Sequence, residues 1–442
     1  LNSFPKTGWL VFTPDGNGPV FIPRRRITGT DAAAPVTMNL GARLKKTVSI
    51  RRANKKFVHR PLMCPARLKE IQGGEWKAGP FIGILTSGTL KGFMGNRSNF
   101  IDLIRTGRRM GVTIFVLTPE GLKEGAHTVQ GFLLNPGVNG NRWVPATLPI
   151  PDVVYNRIPS RKLESRAQEQ KILATLSNMT GVSLFNPSFF NKWTLHLHMQ
   201  RSPRLARLLP DTARWNGGKL LKEMVTKHST LFLKPVEGKA GHGMIRVTRK
   251  NRGFEIVFQT LQGKYHYFAG NLQQLKKRLI PLTRERNYVL QQGIDLARYG
   301  GSPFDLRVLM QKDGTGQWSN TGIGIRVAGK DAISTHVPMG GSIAGSPEVL
   351  RSLFGSQAPA ITATIQSTSL EIASHLEQEE GKNLGEISMD LGMENDGRLW
   401  FFEANAKPMK FDEPDIRKRS LQRLIQYFLY LSGFAGDDRR GG

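Results

Sequence analysis

The chain has 442 residues, 39% of them hydrophobic, and a formal charge of +29. It is long enough for about two or three domains with substantial cores, and basic enough to call for an anionic partner or setting. Its single cysteine, Cys64, excludes an internal disulfide and a cysteine-based zinc cluster, and no run of about 18 apolar residues or signal-like start is present, so the expectation is a cytoplasmic chain that does not span a membrane.

Residues 1–80 hold fifteen Lys and Arg against four Asp and Glu, concentrated in Arg24-Arg25-Arg26, Lys45-Lys46, Arg51-Arg52 and Lys55-Lys56. A nucleic-acid binder would pair this footprint with a recognisable reader such as an aromatic sheet motif, and none is found, so nucleic acid is not the expected partner. A solvated basic face and a polyanion-binding surface both stay open. Short runs such as Trp9-Leu10-Val11-Phe12 and Val20-Phe21-Ile22, separated by Pro, Gly and Asp turns, predict a small β-rich domain over 1–78.

After Gly79-Pro80, the strand pattern Phe81–Leu85, a helical pattern from about Ser98 to Met110 and the strand pattern Val112–Leu117 predict a βαβ unit with parallel strands. Gly88, Gly92 and Gly95 do not form a dinucleotide fingerprint. Val153-Val154-Tyr155 reads as a further strand, followed by a helix from near Lys162 to about Met179. Strands then dominate from Leu231, helix returns over 350–380, and Leu421–Leu431 reads as an apolar helix that packs on the core.

Between the strands at Leu231–Lys234 and Met244–Val247, glycines 238, 241 and 243 make a loop whose N–H groups could close over phosphates, although such a hairpin is often only a turn. His242 reads as a loop residue. Lys234 ends an apolar strand, where an ammonium needs an anionic partner. Near the end of the chain, Asp396-Gly397 predicts a two-residue hairpin turn. With Asn395 opposite Arg398, Asp390 lies opposite Glu403, while Met389, Leu391 and Met393 lie opposite Ala404, Phe402 and Trp400 on the buried face. Asn405 points the same way as Glu403, giving three convergent oxygen donors. Opposed like charges destabilise a sheet, and a hard cation such as Mg²⁺ removes the penalty. A surface hairpin with solvated acids is the competing reading.

These segments, with Pro151–Arg161, Asn186-Pro187 through Lys192-Trp193 and Pro303–Val308, resemble the ATP-grasp superfamily, and more closely its YheC/YheD-like members associated with the endospore coat. The resemblance covers about residues 79–430. It implies an α+β ATP-grasp fold over 186–435, two α+β subdomains holding ATP, preceded by an α/β pre-ATP-grasp domain over 79–185, with a flexible tail at 436–442. It further implies that Lys192 and Lys234 contact ATP phosphates together with the loop of Gly238, Gly241 and Gly243. Adenine is expected at the backbone of Gln291, Gln292, Gly293 and Ile294. Related ligases carry Glu where this chain has Gln292, whose amide oxygen can still accept a hydrogen bond. Asp305 is expected to touch ribose or orient Arg307. Arg307 and Arg326, each on an apolar strand, match positions facing the transferred phosphoryl group, a structural ion pair being the alternative. Asp390, Glu403 and Asn405 match the Mg²⁺ ligands. Arg157, Arg161 and Lys407 are candidates for substrate, with surface arginines the bland alternative for the first two.

The implied activity is ligation of a carboxylate to an amine through an acylphosphate, with a peptide or amino acid, acidic peptides included, as substrate. An ATP-binding structural coat protein without ligase activity is the alternative, and a polyanion binder acting through residues 1–78 is the second.

Overall fold

The computed structural model describes residues 6–12, 18–24, 35–51, 63–137, 140–236, 242–260, 262–329, 332–333, 335 and 340–435. The basic positions Arg25, Arg26, Arg52, Lys55 and Lys56 and the tail 436–442 lie outside the described residues.

The β-rich N-terminal segment closes into a barrel. Its strands are Thr7–Val11, Val20–Pro23, Val36–Leu40, Leu44–Ile50, Met63–Glu70 and Trp76–Gly79, in the spatial order first, second, fourth, third, sixth, fifth. Closure leaves no unpaired edge among the described strands. Within Leu44–Ile50, Val48 and Ile50 point inward while Lys45, Lys46 and Thr47 are exposed, so part of the basic charge sits outside the barrel. Cys64 is fully buried, and burial pushes its thiol up to about 12, which makes it an inert core residue. Barrel side chains such as Met38 and Val48 share one hydrophobic cluster with Phe115, Leu148 and Val154 of the next sheet.

That sheet has the order Gly140–Pro149, Thr128–Gly137, Thr113–Leu117, Phe81–Leu85, Val153–Asn156, Ser183–Phe185. Phe81–Leu85 pairs in parallel with both Thr113–Leu117 and Val153–Asn156, as the βαβ pattern requires, and these three strands are buried throughout. The helix between the first two, Arg97–Arg109, starts where the Asn96 side chain accepts the Asn99 N–H. The helix expected from Lys162 to Met179 is instead two, Arg161–Glu164 and Ala167–Ser177. Glu164 turns inward to accept from Asn156 Nδ2 and the Phe189 N–H, and its carbonyl is taken by Gln170 Nε2 at 2.7 Å, which interrupts the helical ladder.

The remaining chain forms two α+β units. One sheet runs Thr212–Arg214, Tyr288–Gln292, Thr230–Pro235, Ile245–Lys250, Gly253–Gln259, Lys264–Ala269. Leu233, Val247 and Ile256 on its outer face pack with Leu221 and Leu275 of the helices Leu221–Lys227 and Leu272–Leu282. The other runs Ser342–Gly345, Trp318–Val327, Ser302–Lys312, Glu386–Met393, Leu399–Asn405, with Ile365, Ile372 and Leu376 of the long helix Ala358–Glu380 in its core.

A polar clasp fastens the parallel sheet to the last one. Asn186, fully buried and in the left-handed region at φ 51°, donates to the carbonyls of Glu386 and Ala406 and accepts from the N–H groups of Gly385 and Glu386. Asparagine is among the few residues that tolerate this conformation. Tyr155 and Gln311 donate to the Glu386 carboxylate. The helix Pro414–Leu431 covers the junction, setting Tyr427 and Phe428 against Phe185. Replacing Asn186 with Ala strands several buried backbone groups at once. Asn186→Ala is therefore expected to lose about 3 kcal/mol or more of stability in denaturant unfolding, and a loss below about 1 kcal/mol would remove the clasp from the account.

Candidate active site

The hairpin Glu386–Met393 with Leu399–Asn405 pairs Asp390 with Glu403 and Met389 with Ala404, as the sequence predicts. The turn and the inner register differ. Glu394, not Asn395, faces Arg398, through Glu394 N–H to Arg398 O at 3.0 Å, and Gly397 takes φ 85°. The loop is thus three residues long, the form that ends in a left-handed glycine. Leu391 and Met393 pair with Phe401 and Leu399, in place of the expected Phe402 and Trp400. A bulge inserts Phe402 between Phe401 and Glu403 and restores the register before the acids. It also turns Phe402 toward the cavity, where Gly392 leaves it room: a Cβ at 392 would lie 2.4 Å from the Phe402 ring.

Strand pairing carries this face across the sheet. Gly324, Arg307, Asp390 and Glu403 stand opposite one another in one row, and Ile343, Arg326, Asp305 and Gly392 in the next. Arg326 is the hub. It donates to both oxygens of Asp305, at 2.8 and 2.6 Å, and meets Asp390 Oδ2 at 2.8 Å. Burial opposes its charge, but Asp390 and Asp305 more than offset that, so its guanidinium is held above the usual range. The expectation that Asp305 orients Arg307 is corrected: its partners are Arg326 and the Thr335 hydroxyl at 2.6 Å, because strand register sets Asp305 against Arg326. Arg307 instead lies over the Phe411 ring at 4.7 Å and donates to Met409 O at 3.3 Å. Burial lowers its pKa, with Asp390 pulling the other way.

Glu403 forms an ion pair with Lys192, and Asn405 Nδ2 donates to Glu403 Oε1 at 3.3 Å. Lys192 is the first residue of the helix Lys192–Gln200, where Asn191 caps the amide groups. A cation there opposes the helix dipole and needs an anion close by. Burial, reinforced by Lys234, pulls the Lys192 ammonium down to about 7 against the attraction of Asp390. Among the described residues no three His, Cys, Asp or Glu side chains form a metal-ligand cluster. The candidate cation set is two carboxylates and one amide, of which the carboxylates now carry Arg326 and Lys192 as counter-ions. Hard oxygen donors fit Mg²⁺ in chemistry, while the ion pairs with Arg326 and Lys192 offset the negative charge that a divalent ion would otherwise meet.

The facing sheet supplies Lys234. Its Nζ donates to Gln291 Oε1 at 2.6 Å and lies 5.7 and 5.0 Å from the rings of Phe232 and Phe402. Burial lowers it to about 8, with Asp305 and Asp390 opposing. Between the two sheets lies a cavity of about 560 Å³ that includes Lys192, Lys234, Asp305, Arg326, Asp390 and Glu403. The connecting segment Gln292–Leu296 forms one wall, so Gln292, Gly293 and Ile294 reach the cavity. The Gln291 side chain bridges Lys234 and the Thr212 hydroxyl, and Gln292 Oε1 accepts from the Asp211 N–H. Gly243, at φ 80°, accepts from Tyr288 through its carbonyl, and His242 lines the cavity beside Arg286. Gly238 and Gly241 lie outside the described residues.

The three substrate candidates do not line this cavity. Arg157 donates to the Tyr155 hydroxyl, Glu386 and Pro408 O, which makes it part of the clasp. Arg161 donates to Phe190 O and lies over the Phe189 ring. Lys407 is buried against Glu164 and Phe189; burial lowers it to about 8, with Glu164 opposing. Each is satisfied by a partner distant in sequence. Cavity residues that no sequence motif marks include Phe402, Thr335 and Arg246. Phe402 depends on a bulge that leaves no local pattern. Arg246 is accessible from parity, since it pairs with Phe232 on the cavity face.

The family described as YheC/D like ATP-grasp matches residues 181–431. The chain is 28% identical over 372 residues to the endospore coat-associated protein YheD of Bacillus subtilis (strain 168), covering 80% of this chain and 79% of that one. It is 20% identical over 308 residues to the endospore coat-associated protein YheC of the same strain, covering 70% and 84%. Among solved structures it is similar to the ATP-grasp ligase PsnB complexed with minimal precursor, at 12% identity and a TM-score of 0.46, covering 80% of this chain and 99% of that one.

Two depressed lysines facing one cavity make anion binding proton-linked. A bound polyanion raises both pKa values, so binding takes up protons and weakens as pH rises through about 7 to 8. Calorimetric titration with inorganic tripolyphosphate in buffers of different ionisation enthalpy is expected to report net proton uptake at pH 8; heats independent of the buffer would contradict it.

Proposed function

The chain belongs to the YheC/D-like ATP-grasp family, and on that premise we propose that it is an ATP- and Mg²⁺-dependent ligase joining a carboxylate to an amine through an acylphosphate. The observation that carries the reading is the charged face at Asp305, Arg326, Asp390 and Glu403, turned toward a cavity whose opposite side holds Lys234, with Arg307 beside Asp390 in the same row of the sheet.

On this reading the backbone of Gln291–Ile294 holds adenine, and Lys192, Lys234 and the loop at Gly238, Gly241 and Gly243 hold the phosphates. Asp390, Glu403 and Asn405 would hold Mg²⁺, which when bound supplies charge neutralisation at the β and γ phosphates. Lys192 exchanges Glu403 for a phosphate oxygen. Asp305 and Thr335 keep Arg326 aimed, and Arg326 with Arg307 offsets the charge that develops as the carboxylate attacks the γ phosphorus and ADP leaves. The amine then attacks the acyl carbon and phosphate departs. No protein nucleophile takes part. An amino acid or peptide is the substrate we assign, with acidic peptides favoured by the +29 charge. We propose the setting of its coat-associated relatives, which are named for the endospore coat.

An ADP-release assay across amino acids, dipeptides and acidic peptides, with mass spectrometry of products, tests this. Asp390→Asn and Glu403→Gln are each expected to lower carboxylate-dependent ADP release by about 100-fold or more. Unchanged turnover in both variants would sink the reading. Nucleotide-dependent thermal stabilisation without any carboxylate-dependent turnover would favour the structural coat-protein alternative.

A further inference from the structure

The row Gly324, Arg307, Asp390, Glu403 continues past Arg307 to a glycine, and above that glycine lies a carboxylate. A Cβ built on Gly324 would stand 2.3 Å from Glu413 Oε1. Adjacent strands are about 4.8 Å apart, so Gly324 lies about 10 Å from Asp390, with Arg307 between. Glu413 is thus on the side of Arg307 away from the metal-ligand candidates.

Helix capping does not account for this carboxylate. Glu413 occupies the N-cap position of Pro414–Leu431, yet its side chain makes no cap hydrogen bond. Its backbone carbonyl alone enters the helix ladder, accepting from the Arg417 N–H. Glu413 and Asp412 both add negative charge around Arg307, behind Asp390. At the next residue in the row, Gly345, a Cβ would meet nothing within 4 Å among the described residues, which leave the row uncovered at the sheet edge.

We infer that Glu413 is the residue that receives the acceptor amine and takes its proton. This rests on the ligase reading and assigns the half of the reaction that the nucleotide residues leave untouched. The acceptor is a cationic primary amine entering along Gly345 and Gly324. Its ammonium gives one proton to the Glu413 carboxylate, and the freed nitrogen lone pair attacks the acyl carbon. The C–N bond forms, the C–O bond to phosphate breaks, and phosphate leaves with that electron pair. A second nitrogen proton goes to the departing phosphate, so the products are amide, hydrogen phosphate and one proton held by Glu413.

Hydroxylamine separates this step from the one before it, because it is unprotonated at neutral pH and traps an acylphosphate as hydroxamate without a base. Wild type, Glu413→Gln and Glu413→Asp are compared with ATP, Mg²⁺ and a panel of amino acids as carboxylates. The acceptor is either hydroxylamine or a panel of amino acids and dipeptides. In Glu413→Gln, amide formation is expected to fall by about 100-fold or more, while hydroxamate yield and thermal midpoint stay at the wild-type level, and Glu413→Asp recovers part of the amide rate. Equal loss of hydroxamate and amide, or no loss of amide, overturns the assignment of Glu413 alone. Absence of hydroxamate from wild type with every carboxylate overturns the ligase reading and this assignment with it.

Discussion

Two carboxylates held directly opposite each other on one sheet face repel, and the organisation of the site follows from how that repulsion is met. Asp390 and Glu403 are fixed in register by the buried apolar pairs on the other face of the same hairpin, so neither can turn away without exposing the core. Arg326 meets the first and Lys192 the second, and each arrives from a different element, a strand two places away in the sheet and a helix start. Asp305 then becomes necessary, because an arginine shared with one carboxylate at this depth needs its remaining donors satisfied and its plane fixed. The result is a network of opposite charges spanning four strands and a helix.

The segments that identify the family divide into two physical classes. Asp305, Arg326, Asp390 and Glu403 face the cavity. Tyr155, Asn156, Arg157, Glu164, Asn186 and Lys407 are the clasp that holds the parallel sheet on the final one, through bonds between residues up to 243 positions apart. Sequence alone does not distinguish the classes, since an arginine in a polar segment after a strand looks the same whether it awaits a ligand or is spoken for. The clasp still bears on the site: Ala406 and Lys407 follow directly on Asn405, so the strand carrying Glu403 and Asn405 is anchored at the end where it leaves the sheet.

What was legible in the sequence was whatever local periodicity or turn chemistry determines. The barrel strands, the parallel βαβ unit and the pairing of Asp390 with Glu403 all follow from alternation and from the Asp-Gly turn. The last of these survived by compensation. The turn takes one residue more than the shortest hairpin and the bulge at Phe402 absorbs the difference, so the inner pairs shift while the acids keep their places. The partners of Asp305, Arg157 and Lys407 were out of reach because each lies on a strand or helix whose neighbour is set by tertiary packing. The split of the helix after Arg161 has the same origin, since a buried demand on Glu164 overrode local propensity.

Charge balance within the cavity bears on how an anion is recognised there. The chain carries +29, yet Lys192, Arg326, Asp305, Asp390 and Glu403 are tied to one another in ion pairs, and Lys234 rests on an amide and two aromatic rings. Long-range attraction by the basic exterior serves encounter, whereas tight binding at this site requires exchange of partners: an anion must displace an internal carboxylate, or the carboxylate must be given another cation. A triphosphate and a divalent ion arriving together do both at once, one engaging the lysines as the other engages the acids. On the proposed reading, the internal salt bridges therefore act as placeholders that keep a densely charged face folded between turnovers, and selectivity for the metal–nucleotide pair over either alone is built into them.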